Sequence, residues 1–314
     1  MTKTAYIFPG QGSQSVGMGK EFYDNFEEAR NVYQQADNAL GYKISDICFN
    51  GDTEKLNLTK NTQPAILTTS LAILEVLKKE YFVEVKSTAG HSLGEYGSLY
   101  LAGVLSLESA VKITGERARL MNDAAQKTQG GMAAVLGLSE ETVKNGINEL
   151  SKEGIISVAN YNCPGQIVIT GEKFLIEKSV EFFKGLGAKR VVPLAVSGAF
   201  HSKLMQGASE EFERYIKNIN FENPKIDVYE NIDGEKVSSG EEIKHRMPKQ
   251  ICSSVMWTKT IENMISDGTE TFVEIGSGKV LSGLVKKINP NVKIYNINSI
   301  ETLKSTIEEL KAGE

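Results

Sequence analysis

Apolar and polar positions along the 314 residues change period several times, and each change marks an element. The run Thr-Ala-Tyr-Ile-Phe at 4–8 has the length and branching of a short buried strand and leads into a Gly-rich turn. From 20 to 40, Phe22, Phe26, Ala29 and Tyr33 fall on one helical face. A second helix is expected over 63–79, with Pro64 in its first turn and Leu67, Leu71, Leu74 and Leu77 on the apolar stripe. A strand over 83–91 arrives at Gly90-His91-Ser92, and helices follow over 94–102 and 107–125. After Gly130-Gly131 the rhythm shortens. Strands at 132–136, 155–160, 166–170 and 189–196 alternate with helices at 140–152 and 174–186, giving the order βαββαβ of a split βαβ unit. Longer helices resume after Ser197-Gly198, with a strand at 271–275. The pattern is that of a large α/β domain, 1–127 with 198–314, interrupted by a small ferredoxin-like α+β insertion, 128–197.

Composition narrows the function classes. The chain is 40% hydrophobic and 24% charged with a formal charge of −5, ordinary for a globular protein with a sizeable core. The mild acidity argues against a nucleic-acid binder. No apolar run approaches the roughly 18 residues of a membrane span, and the N-terminal residues carry no apolar segment long enough for a secretory signal. Cys48, Cys163 and Cys252 are odd in number and widely spaced, so neither a disulfide framework nor a zinc site is expected. A reduced, cytoplasmic protein without metal or cofactor is the expectation.

Gly90-His91-Ser92-Leu93-Gly94 is a G-x-S-x-G match between an expected strand and an expected helix. That context suits a nucleophile elbow, a tight turn that exposes the serine hydroxyl while its glycines avoid collisions. A Ser-capped helix start is the plainer alternative. A serine nucleophile needs a base that takes its proton and returns it to the leaving group. The chain has three histidines. His91 adjoins the serine and would project away from it, and His245 lies in the basic stretch Lys244-His-Arg246. By elimination His201, in Ser197-Gly-Ala-Phe-His-Ser202, is the better base candidate. Nucleotide motifs fail in detail. Ser15 replaces the last glycine of a dinucleotide fingerprint, Met18 stands at the P-loop lysine after Gly12–Gly17, and Val273 stands at the first P-loop glycine before Gly276-Ser-Gly-Lys279.

Seven segments in order carry a family resemblance: Pro9-Gly-Gln-Gly-Ser-Gln14, Gln63-Pro-Ala65, Gly90-His-Ser-Leu-Gly-Glu95, Arg117 with Met121, Asn160-Tyr-Asn-Cys-Pro164, Gly198–Ser202 and Glu274-Ile-Gly-Ser-Gly278. Over essentially its whole length the chain resembles the malonyl-CoA:acyl carrier protein transacylases, the acyl-loading enzymes of bacterial type II fatty acid synthesis. The resemblance implies an α/β-hydrolase-like large domain with a parallel sheet core. It also implies ping-pong transfer of malonyl from malonyl-CoA to holo acyl carrier protein, through an ester on Ser92 with His201 as base. The backbone N–H groups of Gln11 and Leu93 would form the oxyanion hole, and the Gln250 carbonyl would orient His201. Arg117 would grip the malonyl carboxylate with help from Gln63, and the protein would be a monomer. Without the resemblance, Arg117 reads as a surface or capping arginine, Gln250 as a solvated loop residue and Gln63 as a helix start. Ala118 and Asn122 depart from the Gly and Gln often found beside the arginine, and Ala199 lies at a variable position; none removes a reactive group.

Other readings stay open: a polyketide-synthase acyltransferase or an acyl hydrolase on the same fold, a non-catalytic carrier-docking subunit, or a generic serine esterase. Lys189, Arg190, Lys286 and Lys287 are candidates, by local density, for docking an acidic carrier.

Overall fold

The computed structural model describes residues 3–81 and 83–312. The strands are β1 (Thr4–Phe8), β2 (Val85–Gly90), β3 (Gly130–Leu136), β4 (Ile156–Cys163), β5 (Gln166–Glu172), β6 (Arg190–Pro193), β7 (Asp227–Tyr229), β8 (Lys236–Val237), β9 (Thr271–Ile275) and β10 (Lys293–Ile297). They form two sheets. Six strands in the order β10-β9-β1-β2-β7-β8 make the larger one, parallel except for the β7–β8 hairpin. All five residues of β1 and of β9 are buried, as in a parallel sheet covered on both faces by helices. The second sheet, β4-β5-β3-β6, is antiparallel throughout. Its strand order and its two helices, Glu140–Leu150 and Lys173–Gly185, are those of a split βαβ unit. The α/β class and the ferredoxin-like connectivity expected from the sequence are both found.

Several element boundaries differ for physical reasons. The expected helix over 20–40 is two helices, Lys20–Asn25 and Glu27–Leu40, because Phe26 is extended at φ −126°, ψ 134°. Carbonyls exposed by the break are taken up by Arg30, whose Nη1 donates to Tyr23 O and Asp24 O. The second helix starts at Thr59, so Pro64 lies inside it rather than in its first turn. The missing Pro64 N–H costs one rung of a helix that is buried on nearly every side. The strand expected over 189–196 is regular from Arg190 to Pro193, at the edge of its sheet, with the Lys189 and Leu194 N–H groups donating to Leu136 O and Met132 O on either side.

The two sheets meet along β4. Val255 N donates to Ala159 O and Tyr161 N donates to Val255 O, so the segment after the Gly240–Gln250 helix runs beside β4 like a further short strand. This seam brings the residues after Gln250, the end of β4 and the end of β2 to one place.

Candidate active site

β2 ends at Gly90, and the chain turns through His91 and Ser92 into a one-turn 3₁₀ helix, Ser92–Gly94, and then the helix Glu95–Leu101. The turn is too tight for side chains at its glycines. A Cβ on Gly90 would lie 1.9 Å from the Gly94 carbonyl carbon, and one on Gly94 would lie 2.1 Å from Phe8 O. Ser92 itself has φ 52° and His201 has φ 58°. Among the described residues these two alone have positive φ without being glycine, a conformation costing about 1–3 kcal/mol each. The sequence-based elbow is present, and its strain falls on the two residues singled out for chemistry.

His201 and Ser92 meet although 109 residues separate them: Ser92 Oγ lies 2.8 Å from His201 Nε2. The other ring nitrogen, Nδ1, faces two carbonyl oxygens, Gln250 O at 2.9 Å and Ser253 O at 3.1 Å. Two acceptors at Nδ1 require the proton there, which leaves the Nε2 lone pair for the serine hydroxyl. The Gln250 carbonyl belongs to the last turn of the Gly240–Gln250 helix, where carbonyls lack helical partners and the helix end is partially negative. That end suits an imidazole that becomes positive. Burial, followed by the Arg117 charge, pushes His201 down to about 3, so the base is neutral at every ordinary pH.

Arg117 is fully buried. Nη1 donates to Gln63 Oε1 at 2.5 Å, and Nη2 donates to Gln250 Oε1 at 2.8 Å and to Ser92 Oγ at 3.1 Å. Among the described residues Nε has no acceptor and no carboxylate pairs directly with the guanidinium. A buried cation served only by neutral oxygens is expensive unless an anion joins it. Gln63 is also buried and is steadied by Met121, whose Sδ lies 3.5 Å from its Nε2.

Gln250 does more than orient the histidine. Its buried carboxamide accepts from Arg117 and donates through Nε2 to Ser92 O at 2.9 Å and Glu95 Oε2 at 2.6 Å. Glu95 in turn accepts from the Asn231 backbone N–H at 2.8 Å, and burial pushes its carboxyl up to about 7. Asn231 clamps the elbow, taking the Ser92 N–H on Oδ1 at 2.7 Å and giving Nδ2–H to Gly90 O at 2.7 Å. Behind it Arg246 pairs with Glu230 and Asp233, both at 2.5 Å. Glu95, Asn231 and Ser253 were not assigned a role from sequence. Glu95 stands in the elbow motif, but Asn231 and Ser253 lie in no periodic or motif-like setting that would single them out.

The remaining expected site residues fall around this cluster. Gln11 follows Gly10 in a turn pressed on the elbow, since a Cβ on Gly10 would lie 2.6 Å from His91 O. In the 3₁₀ turn, Ser92 N is taken by Asn231 and Gly94 N by His91 O at 2.9 Å, which leaves the Leu93 N–H as the unclaimed donor beside the serine. His91 points away, to Asn162 Oδ1 at 2.9 Å and the Trp257 ring. His245 is exposed next to Lys249. Glu274 of the last motif caps the Val280–Ile288 helix through Leu281 N and Ser282 N.

The four basic docking candidates are all exposed, but they split. Lys287 Nζ reaches Gln166 Oε1 at 3.2 Å, and the stem of Lys189 lies against Gly137 on the neighbouring turn, which Gly165 joins by a 2.8 Å hydrogen bond. Lys286 turns the other way, onto Val292 O at 2.8 Å. Among the described residues no cluster of His, Cys, Asp and Glu converges as a metal site would, and no helix is long and apolar enough to cross a membrane.

The arrangement provides a strained serine hydroxyl, an oriented neutral imidazole, the free Leu93 N–H beside the serine and a buried cation without an anion among the described residues. Comparisons with known proteins agree with it. The acyl transferase domain family model matches residues 5–304. Malonyl CoA-acyl carrier protein transacylase of Bacillus subtilis (strain 168) is 43% identical over 312 residues, 99% of this chain and 98% of that protein. The crystal structure of the protein of that name from Clostridium perfringens superposes with a TM-score of 0.94 at 41% identity, over 99% of this chain and 98% of the other. A malonyl-transacylase solved in complex with a type II polyketide-synthase acyl-carrier protein superposes with a TM-score of 0.95 at 35% identity, over 98% of this chain and 100% of the other. With the family model covering nearly the whole chain and the relatives matched end to end, this protein belongs to the malonyl-CoA:acyl carrier protein transacylases.

Proposed function

We propose that the protein moves the malonyl group of malonyl-CoA onto the phosphopantetheine thiol of holo acyl carrier protein, supplying fatty acid chain elongation. The observation that carries this reading is the fully buried Arg117, which has no carboxylate partner and stands 3.1 Å from the nucleophile Ser92. Ser92 Oγ attacks the thioester carbonyl as its proton passes to His201 Nε2. The C–S bond breaks, the thiolate of CoA takes the proton, and a malonyl ester remains on Ser92. In the second half the carrier thiol gives its proton to His201 and attacks the ester, returning Ser92. Backbone N–H groups of Gln11 and Leu93 receive the oxyanion in both halves, and one such donor is worth about 2.7–4 kcal/mol. Arg117, supported by Gln63 and Gln250, holds the malonyl carboxylate in a two-pronged contact that lysine does not reproduce. The carbonyls of Gln250 and Ser253 keep the histidine in its reactive tautomer.

In the same reading the large unit is 1–127 with 198–314 and the insertion is 128–197, residues 1, 2, 82, 313 and 314 lying outside the described ones. The protein works as a cytoplasmic monomer without cofactor or metal, and the carrier docks on the rim that holds Lys189 and Lys287, with Arg190 next to Lys189 in the chain. Transfer to a polyketide carrier is the second reading, favoured by the likeness to the transacylase solved with such a carrier. Intact mass after mixing with malonyl-CoA tests the class: a malonyl adduct on Ser92 that discharges to holo carrier is expected. Discharge to water at the same rate without carrier would make the protein a hydrolase. Comparing a fatty-acid with a polyketide carrier as acceptor separates the two transfer readings.

A further inference from the structure

Arg117 touches the nucleophile as well as the space an acyl group would enter. Ser92 Oγ gives its proton toward His201 Nε2 at 2.8 Å and receives a hydrogen bond from Arg117 Nη2 at 3.1 Å. The hydroxyl therefore has one lone pair engaged by a cation before substrate arrives. Attack on a thioester needs electron density at that oxygen. The same cation opposes protonation of His201 and is the largest influence on it after burial, with His91 adding in the same direction. The groups that face the imidazole from the other side are the neutral carbonyls of Gln250 and Ser253. Glu95, the nearest acid of this network, lies beyond the Gln250 carboxamide, which is hydrogen-bonded to both Arg117 and Glu95. The resting site thus restrains its own nucleophile and base.

The guanidinium also has a vacancy suited to lifting that restraint. Nε–H is buried without an acceptor, and Nη2, on the same edge, is the atom shared between Gln250 and Ser92. We propose that a carboxylate on the acyl group activates the acylation step as well as anchoring the substrate: seated on the Nε–Nη2 edge, it takes the hydrogen bond now given to Ser92 Oγ and offsets the positive charge facing His201. This inference rests on the reading of Arg117 as the holder of the substrate carboxylate. A neutral acyl thioester meets the restrained site, and discrimination against it falls on the rate constant at saturation, beyond any loss of binding.

The test compares malonyl-CoA with malonamyl-CoA, in which a carboxamide of the same shape replaces the carboxylate. Single-turnover acylation of Ser92 is followed by intact mass over a range of thioester concentrations. The saturating rate for malonamyl-CoA is expected to be at least about tenfold lower, whatever happens to half-saturation. Arg117→Met removes the guanidinium while filling its volume, and its saturating rate with malonamyl-CoA is expected to exceed that of the unaltered enzyme. If malonamyl-CoA changes half-saturation alone, the carboxylate is a handle only and the inference falls while the reading of Arg117 stands. If the rate drops but Arg117→Met brings no gain, the carboxamide is merely misplaced and the inference again falls. If the two thioesters match in both parameters, Arg117 does not read the carboxylate, and the reading falls with the inference. If Arg117→Met does not fold, Arg117→Gln takes its place in the comparison of saturating rates, and equal saturating rates for the two thioesters in the unaltered enzyme overturn the inference without any variant.

Discussion

The small sheet and the end of β2 bury their residues by opposite rules. Between β3–β6 and their helices the interior is Ala133, Val135, Ile147, Ile156, Val158, Ile167, Ile169, Leu175 and Phe183, with no charge among them. At the end of β2 the interior is Glu95, Arg117, His201, Asn231 and Gln250, each at most 4% exposed. The first region gains free energy from every apolar surface it removes from water. The second costs free energy with each charge it desolvates, and recovers it through a connected set of hydrogen bonds. Reactive groups are concentrated at the end of β2, where burial costs the fold free energy, and the small sheet carries none of them.

Substitutions sharpen that contrast. The largest effects on acyl loading belong to Ser92→Ala and His201→Ala, each expected to lower it on the order of 10⁴-fold or more, with the double variant no worse than either. Thermal unfolding should show both variants folded. Near-parent malonyl loading in His201→Ala would reassign the base. Next comes Arg117→Ala, which leaves a desolvated carboxylate without a partner at about 3–5 kcal/mol, roughly two to four powers of ten in malonyl loading. The ratio of malonyl to acetyl loading measures it, with Arg117→Lys intermediate. An unchanged ratio would make Arg117 structural.

Phe183→Ala tests the apolar region. It should cost about 3–5 kcal/mol of stability in denaturant unfolding while acylation per folded molecule stays at the parent value. A loss of rate per folded molecule would show that the small sheet reaches into the chemistry. The smallest effect is expected from Lys287→Glu, which should raise the apparent KM for carrier protein a few-fold at low salt and leave loading from malonyl-CoA alone unchanged. Lys286→Glu, at a side chain turned onto Val292 O instead, should leave the carrier KM where it was. Equal effects from the two lysines would point to long-range charge rather than a docking contact.

Much of this molecule was legible in the chain because it depends on neighbours in sequence. Strand β1, the elbow between Gly90 and Gly94 and the βαββαβ order follow from periodicity and from local turn sterics, which act within a few residues. The short strands β7 and β8 and the half-exposed β10 carry too little alternation to announce themselves, and they pair because the sheet offers them an edge. The break at Phe26 and the proline inside the Thr59–Glu80 helix run against local pattern because surrounding packing decides both.

The reactive residue types, their order and the family they mark were determined by the sequence alone. Tertiary structure alone decided that Arg117 touches Ser92, that Asn231 holds the elbow across 139 residues, and that Gln250 joins Ser92, Glu95 and Arg117 across 158, 155 and 133. The physical reason is range. Backbone sterics and amphipathic patterning act between near neighbours, whereas burial brings distant polar groups together and compels each to find its partner in what the rest of the fold has brought near.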